Sequence, residues 1–169
     1  FNYAWSSAQN RPAISRKVVT FICPSVPSDN RSDPQWVKGA YGGDYNSVNE
    51  VKPKVFTSVL NLPDPGEGGR AGVLAKGSRN TFAHVTDGTS NTIMLAEVAG
   101  QPDIWTSEGR MNATRFAAYS DDKVVDFNGR YVASDGTGWA DPDNGFSING
   151  ATQNGLDKYG TYMINRINT

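Results

Sequence analysis

Apolar residues occur along this chain in short runs separated by turns rich in Gly, Pro, Asn and Asp, and no run has the length of a multi-turn helix. Residues 18–23 are rich in β-branched and aromatic side chains and are stopped by Pro24, which predicts a strand followed by a turn. Val55–Leu60 and residues 71–74 predict further short strands. The pattern indicates an α+β fold dominated by strands, with an antiparallel sheet, long loops and few short helices.

Residues 85–97 form the most informative segment of the sequence. The segment contains a polar corner whose members favour turns or bond the nearby backbone through short side chains: Asp87, Gly88, Thr89, Ser90, Asn91 and Thr92. The apolar run that follows leads to Glu97 and predicts a buried strand over residues 92–98. We expect this strand to pack against residues 18–23 and to bury Leu95, whose replacement by Ala would then cost roughly 2–5 kcal/mol.

Other segments carry local signals. Residues 41–45, Tyr-Gly-Gly-Asp-Tyr, predict extended backbone bent by glycines, which Val48 and Val51 continue. Residues 82–85 predict one helical turn. Asn128-Gly129 lies between two runs rich in β-forming residues and predicts a hairpin with a two-residue type I′ turn.

The length of the chain, 169 residues, fits one domain with a single core, and no linker of biased composition divides it. We therefore treat residues 1–169 as one globular domain, whose last ordered segments are predicted at Phe146–Ile148 and residues 159–164. The formal net charge is −1, and the Lys and Arg residues are scattered. This distribution argues against a nucleic-acid partner, because such partners require a concentrated basic surface.

The sequence contains one cysteine, Cys23, and one histidine, His84. Cys23 is interpreted as a buried thiol, with a bond to a cysteine outside these residues as the alternative. His84 has no companions at the spacing that zinc requires, so a structural or surface role is favoured. The G-x-S-x-G motif of many hydrolases is absent. A hydrolase that uses His84 or a pair of carboxylates remains an alternative hypothesis.

Residues 141–145 place carboxylate and amide oxygens on one tight turn. Asp141, Asp143 and Asn144 offer the ligand type that Ca²⁺ prefers, and Asp135 is a further candidate. The complete twelve-residue calcium loop is absent, however, and turns rich in Asp, Asn and Gly commonly have no ligand. The sequence predicts an ordinary turn here, with calcium as the alternative to be tested.

Tryptophan is the residue type that most directly suggests a glycan partner. Trp5, Trp36, Trp105 and Trp139 could stack on sugar rings while nearby Asn and Asp side chains bond sugar hydroxyls. Four tryptophans in such a domain are more often residues of the core and its rim. An extracellular carbohydrate-binding or adhesive module is therefore a second hypothesis.

Several motifs, taken in order, resemble one known family. The matching segments are residues 21–25, which include Cys23 and Pro24, residues 41–45, residues 85–92 with Glu97, residues 139–144, which begin with Trp139, and residues 164–165 with Asn168. The chain resembles the planctomycete-type pseudopilin-like family, in which a prepilin-type cleavage and methylation signal precedes a globular domain of unknown function. The corner at Asp87 is the most specific part of the resemblance.

The resemblance implies a pilin-like head that is exported to the cell surface, the extracellular space or the periplasm. Family members also carry an N-terminal apolar helix and a C-terminal His…Asp-Gly segment, so we expect this chain to be a piece that lacks both. The missing helix would provide membrane contact and would pack into a type II secretion or type IV pilus-like assembly. The leading hypothesis is thus a non-enzymatic structural or assembly subunit without a cofactor, whose partners are other pilin-like subunits or copies of itself.

Overall fold

The computed structural model describes residues 3–28, 31–35, 37–119, 124–133, 136–163 and 166–168. The strands are β1 (Tyr45–Val51), β2 (Leu95–Glu97), β3 (Trp105–Thr106), β4 (Gly109–Arg110), β5 (Val124–Phe127), β6 (Arg130–Ala133) and β7 (Phe146–Ile148). The α-helices are α1 (Arg11–Ile14), α2 (Gly66–Arg70) and α3 (Ala113–Ala118). Short 3₁₀ turns and one π-helical segment connect them. The α+β class with short helices is confirmed.

The main sheet has the strand order β2-β1-β7. β1 pairs with β2 in antiparallel fashion, with Tyr45 opposite Glu97 and Ser47 opposite Leu95. β1 pairs with β7 in parallel, and the register shifts between Val48 and Glu50. The remaining strands form two antiparallel hairpins, β3-β4 and β5-β6.

The predicted hairpin at Asn128-Gly129 is confirmed. β5 and β6 pair in antiparallel register up to Phe127 opposite Arg130, so the loop has two residues. Asn128 has φ 52° and Gly129 has φ 77°. Positive φ at both central positions defines the type I′ turn, whose twist matches that of the flanking strands.

The predicted strand over residues 18–23 is wrong. A 3₁₀ turn spans Val19–Phe21, in which Ile22 N donates to Val19 O. Val19 is 74% exposed. The segment instead meets Asp44, whose backbone N–H donates to Phe21 O and whose carboxylate accepts from Cys23 N. These tertiary bonds override the β propensity of the side chains.

Two other predicted strands are also wrong. Val55–Leu60 is π-helical and ends at Asn61, which has a left-handed φ of 54°. A short apolar run does not by itself distinguish a strand from a helical segment. Residues 71–74 contribute only a bridge between Ala71 and Glu50 before the chain turns.

Two other local predictions are confirmed. The predicted helical turn is a 3₁₀ turn over Phe82–His84, and the predicted ordered segment Phe146–Ile148 is β7. Extended backbone at residues 41–45 leads directly into β1, with bridges at Tyr41 and Gly42. Residues 159–163 form no regular strand, although Tyr162 bridges to Ala151. The last residue of that predicted segment, residue 164, lies outside the described residues.

The strand after the Asp87 corner exists but is short and exposed. Ile93, Met94 and Leu95 are 64%, 46% and 52% exposed, so the prediction that they are buried is wrong. β2 pairs with β1, whereas residues 18–23 had been expected as the packing partner. The physical reason is position, because β2 is an edge strand of the main sheet.

Two small apolar clusters form the core of the described residues. One contains Ile104, Met111, Val124 and Ala133, with side chains from α3 and β6 packed against it. The other contains Ile14, Val37 and Ala40, with Trp5 and Ala140 at its margin. None of the helices in the described ranges has the length and apolar character needed to cross a lipid bilayer.

A buried ion pair connects Arg31 and Asp44. Arg31 Nη1 and Nη2 donate to the two carboxylate oxygens of Asp44 at 2.7 and 2.6 Å, and Asp44 is completely buried. Cys23 N and Gly100 N donate to the same carboxylate at 2.8 and 3.1 Å. Arg31 also donates to Gln101 O at 2.7 Å. The pair therefore joins four separate segments of the chain.

We predict that Asp44→Asn destabilises the fold by about 3–5 kcal/mol, because removing one partner leaves the Arg31 charge buried without compensation. Urea denaturation followed by circular dichroism measures the loss. Glu108→Gln is the matched control, since Glu108 pairs with Arg115 on the surface and is 58% exposed. The control should lose about 1 kcal/mol or less, and equal losses in the two variants would contradict the central role of Arg31 and Asp44.

A second pair of variants tests the core assignment. Ile104 is completely buried, so Ile104→Ala should cost about 2–5 kcal/mol. Leu95→Ala should change stability by about 0.5 kcal/mol or less, because the side chain is half exposed. The same denaturation experiment gives both values, and a large loss for Leu95→Ala would place β2 in the core after all.

Candidate functional site

A shallow groove of about 330 Å³ runs beside the first half of β1. Its second wall is the 3₁₀ turn Pro142–Asn144 that precedes β7, and the loop around Lys76 closes one end. The volume is at the lower end of the roughly 300–1,000 Å³ typical of small-molecule sites. Parts of two sequence-predicted regions line the groove: Tyr45 from residues 41–45, and Trp139, Asp141, Pro142 and Asn144 from residues 139–144.

The turn that forms the second wall is held by its own side chain. Asp141 Oδ1 accepts a hydrogen bond from Asp143 N at 2.8 Å and caps the 3₁₀ turn. Pro142 occupies the first position of the turn, where its missing N–H is not needed. The Asp-Pro-Asp-Asn sequence thus folds locally into the structure that its composition predicts.

Asn49 of β1 fixes the spacing of the groove. Its Nδ2 donates to Gly145 O at 2.8 Å, and its Oδ1 accepts from Lys76 N at 3.1 Å. Lys76 Nζ in turn forms an ion pair with Asp143. One amide side chain therefore ties β1 to both the 142–144 turn and the loop at the end of the groove.

Trp139 lines the groove, and its indole is fixed by contacts with residues outside the groove. Its indole Nε1 donates to Arg16 O at 3.0 Å, and its ring lies 6.0 Å from that of Phe21, centroid to centroid. A Cβ atom at Gly43 would lie 3.0 Å from Trp139 Cβ, so the glycine at this position allows the backbone to approach the tryptophan. The indole cannot rotate freely because its N–H is bonded and its ring is packed.

Two amide side chains that line the groove are not used by the fold. Asn46 is 5% exposed and Asn144 is 9% exposed. No residue in the described part of the chain forms a hydrogen bond with either side-chain amide, and Asn144 Oδ1 is fully shielded from solvent. Buried polar groups are usually paired, and a fully shielded unpaired atom such as Asn144 Oδ1 costs about 1–3 kcal/mol. These amides call for a physical explanation.

Tyr45 also lines the groove, and its hydroxyl lies near Cys23 and Glu97. Partial desolvation raises the pKa of the Tyr45 hydroxyl, and the neighbouring Cys23 and Glu97 raise it further. The phenol therefore stays protonated at neutral pH and can donate a hydrogen bond.

The Asp87 corner lies apart from the residues that line this groove. Asn91 Nδ2 donates to Asp87 O at 2.8 Å, and Thr92 Oγ1 donates to Gly88 O at 3.1 Å. Gly88 has φ 86°, a left-handed conformation that favours glycine. Thr89 and Ser90 are exposed in the 3₁₀ turn of the corner, and the bonds of Asn91 and Thr92 close within this turn, which is the arrangement of an architectural element.

The other singled-out residues are dispersed. Cys23 is a buried free thiol next to the Arg31–Asp44 pair, and Pro24 follows it at the surface. Glu97 is exposed on β2. His84 is exposed, and its Nδ1 accepts from Thr81 N at 2.9 Å within its own 3₁₀ turn. This geometry gives no support to a catalytic role for His84.

The tryptophans are also dispersed over the structure. Trp5 packs against the cluster around Ile14, and Trp105 lies on β3; both are half-buried. Trp139 alone among these lines the groove. Trp36 lies outside the described residues.

The predicted calcium ligands Asp141, Asp143 and Asn144 lie on one turn. Both carboxylates already have partners within the protein, because Asp141 accepts a hydrogen bond from Asp143 N and Asp143 forms an ion pair with Lys76. Asp135 lies outside the described residues. Within the ranges that are described, no group of three or more His, Cys, Asp or Glu side chains could hold a metal ion.

Sequence reasoning missed the roles of Asn46 and of the buried Arg31. Asn46 follows the Tyr-Gly-Gly-Asp-Tyr motif directly, and a polar residue at an inward position of a predicted strand is the signal that could have identified it. Arg31 stands in a polar turn region, where no local pattern distinguishes it from a surface charge.

The architecture is that of an α+β domain with a shallow polar and aromatic groove beside its main sheet. The chain belongs to the family SBP_bac_10, described as a protein of unknown function (DUF1559), whose model matches residues 1–166. No curated protein matches the chain significantly. No solved structure does so either.

We predict that calcium does not stabilise this protein. A site with a dissociation constant one hundredth of the calcium concentration would add about 2.7 kcal/mol of stability. Thermal melting with about 5 mM calcium and with an equal excess of chelator should give the same midpoint, because the carboxylates of Asp141 and Asp143 are engaged within the fold. A midpoint several degrees higher with calcium, abolished in Asp143→Asn, would establish the site instead.

Proposed function

We propose that this chain is the head of a non-enzymatic, exported structural or assembly subunit of the pseudopilin-like kind. Its partners would be other pilin-like subunits or copies of itself, at the cell surface or in the extracellular space or periplasm. The order of the motifs supports this relationship, and the observation that carries the assembly role is the exposed apolar surface of the sheet edge.

That surface, the β2 edge patch, consists of Ile93, Met94 and Leu95. Three successive apolar side chains are each about half exposed or more. Scattered single apolar residues are normal on a protein surface, but a contiguous exposed run on an edge strand favours contact with another chain.

The backbone of β2 supports the same proposal. Val98 N donates to Asp44 O and Val48 N donates to Met94 O, so residues 94, 96 and 98 face β1. The N–H and C=O groups of Leu95 and Glu97 point to the open side, because alternate residues of an antiparallel strand face opposite neighbours. An added strand would find both hydrogen-bonding groups and apolar side chains there.

A catalytic role receives less support from the geometry. The bonds of His84 close within its own turn, and the carboxylate of Asp143, on the turn beside the groove, forms an ion pair with Lys76. A hydrolase needs a nucleophile or a water held between an acid and a base, together with groups that stabilise the transition state. The proposal therefore assigns the chain no reaction.

The test places a photo-crosslinking amino acid at position 94 of the full-length protein in its native cells. We expect crosslinks to a second copy or to another subunit of the same family, identified by mass spectrometry. Leu95→Lys should remove these crosslinks and reduce the sedimentable assembly at least several-fold, because a charge would be placed where the partner strand packs. It should leave the midpoint of thermal unfolding nearly unchanged.

The matched control is Leu62→Lys, since Leu62 is 53% exposed and Leu95 52%, but Leu62 lies outside the sheet. This variant should assemble normally. Assembly that is unaffected by Leu95→Lys, or crosslinks only to unrelated cytoplasmic proteins, would contradict the proposal.

A further inference from the structure

We propose that the groove between β1 and the 142–144 turn binds a neutral sugar unit of an extracellular glycan. This inference goes beyond the assembly role and does not depend on it. It begins from Asn46 and Asn144, whose side-chain amides line the groove, are more than nine-tenths buried and lack hydrogen-bond partners in the described structure.

The unpaired amides indicate which hydrogen-bonding groups the ligand carries. The Asn46 amide offers a carbonyl oxygen as acceptor and an NH₂ group as double donor, whereas Asn144 offers only its NH₂ group, because its Oδ1 is fully shielded from solvent. A ligand that pairs with both must carry groups that donate and accept over a short distance, and neighbouring sugar hydroxyls do this.

The aromatic residue in the groove favours the same class. Trp139 is half-buried, with its indole fixed by Arg16 O and by Phe21. The C–H face of a sugar ring carries a slight positive potential, which is complementary to the negative face of an aromatic ring. A rigid tryptophan beside paired donor and acceptor groups can therefore orient one ring of a saccharide.

The charged residues at the groove favour a neutral ligand over an anionic one. Asp141 lines the groove and is 6% exposed, and Lys76 is already paired with Asp143. The groove thus offers no uncompensated positive charge from these residues, and a phosphate or uronate would face the Asp141 carboxylate. A neutral sugar meets no such repulsion.

The experiment is a titration of the ¹⁵N-labelled chain, followed by NMR, with neutral hexasaccharides of glucose, mannose, galactose and N-acetylglucosamine. Chelator is present throughout. At least one hexasaccharide should shift the side-chain amide signals of Asn46 and Asn144 and the indole N–H of Trp139, in a saturable manner. Polygalacturonate is the anionic probe and should leave these signals unchanged.

Asn144→Ala provides the decisive variant, because its amide makes no hydrogen bond that the fold would lose. The midpoint of unfolding should stay the same or rise, whereas sugar affinity should fall roughly 3- to 10-fold, the loss expected for one hydrogen bond. Asn154→Ala, which alters an exposed asparagine outside the groove, should leave the affinity unchanged.

Three results would overturn the proposal. One is the absence of shifts at Asn46 and Asn144 with every hexasaccharide at about tenfold the concentration of a millimolar site. Another is a set of shifts that maps outside the groove. The third is a response of the same signals to calcium alone, without chelator, which would assign the groove to a cation. None of these results bears on the β2 edge patch, so the two proposals fail separately.

Discussion

The structure depends first on the bidentate pair of Arg31 and Asp44. The Asp44 carboxylate accepts four hydrogen bonds, two from Arg31 and one each from Cys23 N and Gly100 N. All its acceptor capacity is directed at chain segments that are distant in sequence. Because Asp44 immediately precedes β1, the pair also sets where the main strand begins, and through β1 it positions one wall of the groove.

A second polar clamp acts at the other end of the chain. Asn168 Oδ1 accepts from Trp105 N at 2.7 Å, and its Nδ2 donates to Ala99 O and Asp103 O at 2.8 and 3.0 Å. The apolar clusters are small, so buried polar side chains carry much of the task of ordering the loops. Long irregular segments can be held in one conformation in this way, provided that every backbone group they bury is paired.

Sequence reasoning succeeded where structure is decided locally. The Asn128-Gly129 turn and the Asp87 corner follow from the conformations of a few adjacent residues. It failed for residues 18–23, whose course is set by bonds to Asp44, and for β2, whose exposure reflects an edge position. The groove was not predictable, because Asn46 and Asn144 meet only through the pairing of β1 with β7, which no local pattern specifies.

The parallel pairing of β1 with β7 also determines at what stage of folding the groove forms. Asn49 and Gly145, whose hydrogen bond spaces the two walls, are 96 positions apart in the sequence. Contacts of such separation form late, since a long loop must close before they are gained. During synthesis β1 cannot pair with β7 until β7 has left the ribosome. The main sheet of a nascent or truncated chain is therefore incomplete. The spacing of the two groove walls is thereby set only in molecules whose folding is complete.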